Sequence, residues 1–156
     1  MTALTANDLA GLSSELTTLA ALLDDCRAAA INLYVTFFYS VLGRLLTAAG
    51  QTEQARNHLD AGLALAQDTG MHFYDAELLR LRAGTHADDK ARHADLTAAR
   101  ELARRQGAAL FELRAALDGY ELRGTAAHAA LSEAVAHVPA DGGAPELKRA
   151  KAVLQL

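Results

Sequence analysis

Apolar residues recur along this chain at the three- and four-residue spacing of a helix face, and glycines punctuate the runs. Leu9, Leu12, Leu16, Leu19 and Leu23 form a first stripe, with Ser13, Ser14, Glu15, Thr17, Asp24 and Asp25 on the other side. Thr5 reads as an N-cap with Asp8 three positions on, so a first helix is predicted from there to about Ala29. The second is predicted from about Leu33 to Ala48 and the third from Thr52 to Asp68, stopped by Gly50 and Gly70. A fourth runs from His72 to about Gly84, and after the polar stretch Thr85–Lys90 a fifth continues to about Gln106. The sixth covers Ala109–Leu122 and the seventh Ala126–Val138. Pro139–Pro145 is a loop, and Pro145 opens a last helix ending near Leu156, with Glu146 early and Lys148, Arg149 and Lys151 later. The expectation is an all-α chain of about eight helices in antiparallel pairs.

Two helices meet most clearly between Tyr39 and Ala66. Tyr39, Leu42, Leu46, Leu59 and Leu63 fill the seam, and Gly43, Ala55 and Gly62 keep it narrow. A mid-helix glycine costs about 1 kcal/mol relative to alanine, so close packing is expected to compensate at Gly43 and Gly62. The aromatics Tyr34, Phe37, Phe38 and Tyr39 cannot share one face at 100° per residue. Tyr39 and Val35 belong to the seam, Phe38 is assigned to the core and Phe37 to the surface. A weak internal repeat adds to the pattern. Leu65, Ala66 and Gly70 map onto Leu102, Ala103 and Gly107 at a shift of 37, Tyr74-Asp75 parallels Phe111-Glu112, and Gly50…Ala55 recurs as Gly124…Ala129. Each helical hairpin of such a series leaves an apolar face that the next must cover.

Composition narrows the function classes. The chain has 156 residues, 51% of them apolar, with a formal net charge of −4. That length fits one domain spanning residues 1–156, and the mild acidity provides no global field for nucleic acid or anionic membrane. No apolar run approaches a membrane span and no signal pattern opens the chain, so a cytoplasmic location is the expectation. The single cysteine, Cys26, excludes an internal disulfide.

The stretch Tyr39–Ala66 also resembles a tetratricopeptide (TPR) hairpin: aromatic-x2-Leu-Gly-x2-large apolar, a glycine turn, then Ala-x3-large apolar-x2-small. GLALAQDTGMHFYDAELLRLRAG (62–84), ARELARRQGAALFELRAAL (99–117) and APELKRAKAVL (144–154) are similar to the C-terminal TPR region of bacterial signalling ATPases, both LuxR-type regulators and adenylate-cyclase-fused proteins. The resemblance covers most of residues 35–156. It implies an α-α superhelix curving as a right-handed arc. It carries over no ATPase, cyclase or DNA-binding part, because no G-x4-G-K-[ST] loop is present. What it implies is a non-enzymatic interaction or scaffold module in bacterial signalling or transcriptional control, whose partner is another protein or peptide. The alternative is a small-molecule or peptide sensor using the concave groove.

Carrying the repeat's groove positions onto this chain selects Phe37, Ser40, Arg44 and Thr47, then Glu77, Arg80 and Gly84, then Arg114, Leu117 and Glu121. Arginines there can fork onto carboxylates of a partner. The competing reading is internal pairing, with Glu77 meeting Arg80 at i+3 and Glu112 or Arg114 bracing the next hairpin. No catalytic residue, metal or cofactor is expected. His86 and His93 flank Asp88 and Asp89 without helix-face ligand spacing, His58, His72, His128 and His137 read as surface or helix-edge residues, and Cys26 lacks an identifiable base. The N-terminal helices carry more large apolar groups than one seam can bury. A self-association face at Leu12, Leu16 and Phe37 is therefore expected, filled by upstream repeats in a longer protein or by a symmetric homodimer otherwise.

Overall fold

The computed structural model describes residues 6–28, 34–139 and 143–156, and among these the regular structure is entirely helical. The expected Thr5 cap, the Leu33 helix start and the loop residues 140–142 lie outside the described residues, as do the side chains of Leu9 and Leu12. No helix among the described residues is long and apolar enough to cross a membrane. The sequence reading treats the chain as one domain. Its internal packing separates into two compact units, Met1–Tyr74 and Asp75–Leu156.

The first unit contains α1 (Ala6–Ala28), α2 (Val35–Ala48), α3 (Thr52–Thr69) and a 3-10 turn, His72–Tyr74. Gly50 (φ +78°) and Gly70 (φ +72°) end their helices in the left-handed region, where a Cβ would be strained. With only Ala49, Gly50 and Gln51 between them, α2 and α3 pack along their lengths as an antiparallel hairpin, and α1 packs on α2. Tyr39, Leu42 and Leu46 of α2 and Ala55, Leu59 and Ala66 of α3 are buried, as are Leu16 and Leu23 of α1. Each such leucine contributes about 1.5–3 kcal/mol by leaving water. Gly43 and Gly62 are both buried mid-helix. At Gly43 a Cβ would lie 2.5 Å from Leu59 Cδ2, so a larger residue there must push α3 away or move Leu59. Leu63, assigned to the seam, is only partly buried, and Leu65 takes the buried position nearby.

The aromatic assignments need correcting. Phe38 is 42% exposed, whereas Phe37 is partly covered, 5.3 Å from the Tyr74 ring. The 3-10 turn after α3 brings Tyr74 back onto α2, a return that helical periodicity within α2 does not contain.

The second unit runs α4 (Asp75–Ala83), α5 (Asp89–Arg105), α6 (Ala109–Arg123), a 3-10 turn at Gly124–Ala127, α7 (His128–His137) and α8 (Pro145–Leu154). The segment read as one helix over His72–Gly84 is a 3-10 turn followed by α4, and the expected start of α7 at Ala126 is also 3-10. Asp88, within the polar connection, caps α5 by accepting the Ala91 amide at 2.9 Å. Successive helices pack on one another, and in addition α4 touches α6 and α6 touches α8. One core cluster is formed by Leu113, Ala116 and Leu117 of α6 with Leu131, Leu147 and Leu154.

Candidate functional site

The alternate helices α4, α6 and α8 carry a line of paired charges. Glu77 and Arg80 share a face of α4 at i+3, and the guanidinium forks onto the carboxylate with Nε–Oε2 and Nη2–Oε1 both 2.8 Å. Arg80 Nη1 also donates to Asp118 Oδ2 of α6 at 2.6 Å. Arg114, one helical turn before Asp118, donates from Nε to Glu146 Oε1 of α8 at 2.8 Å and lies 3.7 Å from Glu77 Oε1. Five side chains from three helices thus make one network. The Arg80 side chain is 16% exposed and that of Glu77 8%. Burial works against the Arg80 charge, but the hydrogen bonds and charges of Glu77 and Asp118 outweigh it and raise the guanidinium's pKa. Glu146 is held below the usual carboxylate range, chiefly by a backbone N–H at the start of α8 and, against burial, by Arg114.

Beside this network is a recess of about 210 Å³ lined by Arg80, Gly84, Arg92, Asp118 and Glu121, with Ala83 and Leu96 as apolar walls. Arg92 reaches its neighbour Asp89 at 3.1 Å on the surface, and Glu121 pairs with Arg149 of α8. Both signs of charge are therefore presented at one accessible spot. A second charged cluster, built on one carboxylate, links α4, the α4–α5 connection and α5. Asp95 accepts both Arg82 Nε and Nη2, at 2.8 and 2.7 Å, and lies 2.9 Å from His86 Nε2. Burial raises the Asp95 pKa, but hydrogen bonds from Arg82 and His86 prevail and the net shift is downward. Glu112, buried on α6, has Oε2 2.9 Å from His137 Nδ1.

The expected groove positions divide. Glu77, Arg80 and Arg114 meet, and Glu121 lines the adjoining recess. Leu117 does not belong to an accessible groove: it is 3% exposed, because its face of α6 packs into the leucine core. In the first unit Arg44 is exposed, but Ser40 is buried with its hydroxyl donating to Phe37 O at 2.6 Å. Thr47 is half-buried and donates to Gly43 O. Both hydroxyls are satisfied by the preceding turn of their own helix, and burial removes Ser40 from any binding surface. On the expected self-association face, Leu16 is 5% exposed and packs within its own unit, so it presents no outward surface; Phe37 is partly covered, and the Leu12 side chain lies outside the described residues. Exposed large apolar groups among the described residues of that unit include Leu22, Tyr34, Phe38, Leu45 and Phe73.

Of the histidines expected at surfaces, His58 is half-buried, and burial lowers its pKa, offset in part by Asp24. It lines a recess of about 270 Å³ with Leu16, Leu42, Leu46 and Gln54. His86, expected in a solvated linker, is instead tied to Asp95.

Asp118, Glu146 and Asp95 were missing from the sequence-derived site. The shift that maps Leu65 onto Leu102 also maps Glu77 onto Arg114, both among the expected positions, and places opposite charges at equivalent repeat positions. Asp118 and Glu146 have no such mark, because their roles come from the distance between helices.

Comparison with family models, with curated proteins and with solved structures finds no match to this chain.

Proposed function

We propose that this chain is a non-enzymatic, TPR-like interaction module that binds an extended peptide segment of a partner protein along α4, α6 and α8. The observation that carries the reading is the charge network Glu77–Arg80–Asp118 with Arg114–Glu146, which fixes three alternate helices side by side beneath a recess of mixed charge. Replacing buried ion pairs with apolar residues is often neutral or stabilising, so a stability requirement alone does not explain so many charges there. Prepaired arginines and carboxylates suit recognition instead: they hold each other in place and exchange partners with a peptide of alternating charge. The similarity of residues 62–84, 99–117 and 144–154 to the repeat regions of bacterial signalling proteins supports a regulatory role for the same surface.

The test is selection of a displayed peptide library on the purified chain, followed by affinity measurement on charge-reversed variants. Selected peptides should be of mixed charge and should lose at least about tenfold in affinity with Arg92→Glu and Glu121→Lys, as expected for charged rim contacts. They should bind Arg105→Glu unchanged, since Arg105 lies on α5, at the end of the helix away from Arg92. Equal binding to all three variants would overturn the reading, as would a selection with no enrichment.

A further inference from the structure

A second recess in the same unit has a different chemistry. It lies between α5, α6, the 3-10 turn and the start of α7, has a volume of about 220 Å³, and is lined by cationic and neutral groups without a carboxylate. His93, Thr97 and Arg100 come from α5, and Arg123 from the last residue of α6. The floor is small and apolar, including Ala116, Gly119, Ala126 and Ala130. Three features of the fold create it. A Cβ at Gly119 would meet nothing within 4 Å, so the helix surface there is open. The tighter 3-10 turn at Gly124–Ala127 interposes four small or short residues before α7 begins. Alanines on the facing surfaces then leave the space unfilled.

The polar groups at the rim are not consumed by the protein itself. The side chains of Arg123, His93 and Thr97 make no hydrogen bond or ion pair among the described residues. Arg100 holds Glu133 of α7 through Nη1 at 3.3 Å, with Arg104 on the same carboxylate, and a guanidinium has five N–H donors, so one such contact leaves others for a ligand. Uncommitted arginine beside an apolar floor suits an oxyanion attached to hydrocarbon, because the fork matches a carboxylate and the floor removes apolar surface from water. Size limits the ligand. A dry cavity of about 150 Å³ holds benzene, whereas drug-sized ligands need roughly 300–1,000 Å³.

We propose that this recess binds a small organic carboxylate with a compact apolar body, of about the size of benzoate. Arg123 and Arg100 grip the anion, Thr97 and His93 add hydrogen bonds, and the body rests on Gly119 and the alanines. The recess shares the wall residue Leu96 with the one beside the charge network but none of its charged groups, and its existence does not depend on the peptide-binding reading.

Titration of the isotope-labelled chain with sodium benzoate, followed by amide NMR, tests the proposal. Benzoate should give saturable shifts centred on Thr97, Gly119 and Ala127, and neutral benzamide should bind at least about tenfold more weakly, as should benzoate to Arg123→Gln. Gly119→Leu should fill the recess and abolish binding while its helical circular dichroism is retained, since leucine replaces a mid-helix glycine next to open space. Inorganic phosphate, lacking the apolar body, should bind more weakly than benzoate. The proposal is overturned by absence of saturable shifts with both benzoate and hexanoate, by benzamide binding as well as benzoate, by phosphate matching benzoate, or by a folded Gly119→Leu chain that still binds.

Discussion

Gly43→Ala is the smallest change that probes the α2–α3 seam. Away from any neighbour, alanine for a mid-helix glycine stabilises by about 0.5–1 kcal/mol. Here the new methyl would sit 2.5 Å from Leu59 Cδ2, 2.6 Å from Cγ and 3.1 Å from Cδ1. Leu59 is fully buried and Cγ is not the free end of its side chain, so the contact is relieved only by an off-rotamer leucine or by separating the helices. Overpacking of this kind costs about 1–3 kcal/mol. The cost exceeds the propensity gain, and Gly43→Ala should destabilise by about 1–2 kcal/mol in chemical denaturation followed by circular dichroism. Leu59→Ala alone should cost about 2–5 kcal/mol through the cavity it leaves. In that background the obstruction is gone, and Gly43→Ala should reverse sign and stabilise by about 0.5–1 kcal/mol. A Gly43→Ala change of the same sign and size in both backgrounds would refute the close-approach argument.

Gly119→Ala is the complementary case, because its Cβ meets nothing, and it should raise the denaturation midpoint by the equivalent of about 0.5–1 kcal/mol. Arg80→Ala should cost about 3–5 kcal/mol, since it leaves the nearly buried Glu77 with Arg114 at 3.7 Å in place of its forked partner, and Arg80→Lys should recover only part of this for want of a fork; a loss below 1 kcal/mol for Arg80→Ala would contradict the network. Asp95 titrates below its ordinary value of 3.8 when folded, so its stabilisation is present above that pH and disappears as pH falls through the folded pKa. Asp95→Asn should therefore lower stability at pH 6 and flatten the acid limb of a denaturation series from pH 6 to pH 2. His58 also titrates below its ordinary 6.5 in the folded state, so the unfolded chain takes up a proton first and stability declines as pH falls below 6.5 towards the folded pKa. His58→Gln should reduce that decline, as read from melting temperatures between pH 7.5 and 5.

The helices themselves were legible because their signals are local. Leucine periodicity, the glycine stops at Gly50 and Gly70, and Pro145 at the first position of α8 each act within one or two turns of chain. Gly43 was legible for a related reason: a glycine amid good helix formers has a cost that only a close neighbour explains, and Leu59 is that neighbour. Glu77 with Arg80 followed from i+3 spacing, and the 37-residue shift brought Arg114 into the same register. The rest required three dimensions. Whether Leu16 and Leu117 face water or core depends on which neighbouring helix covers that side, and Phe37 was covered by Tyr74 arriving through a 3-10 turn. Asp118 and Glu146 became partners of Arg80 and Arg114 because α4, α6 and α8 lie side by side. The recess beside Gly119 is a still more global property. Periodicity specifies which residues share a helix face, whereas an unfilled volume arises from what every surrounding element leaves out, and only the assembled packing determines that.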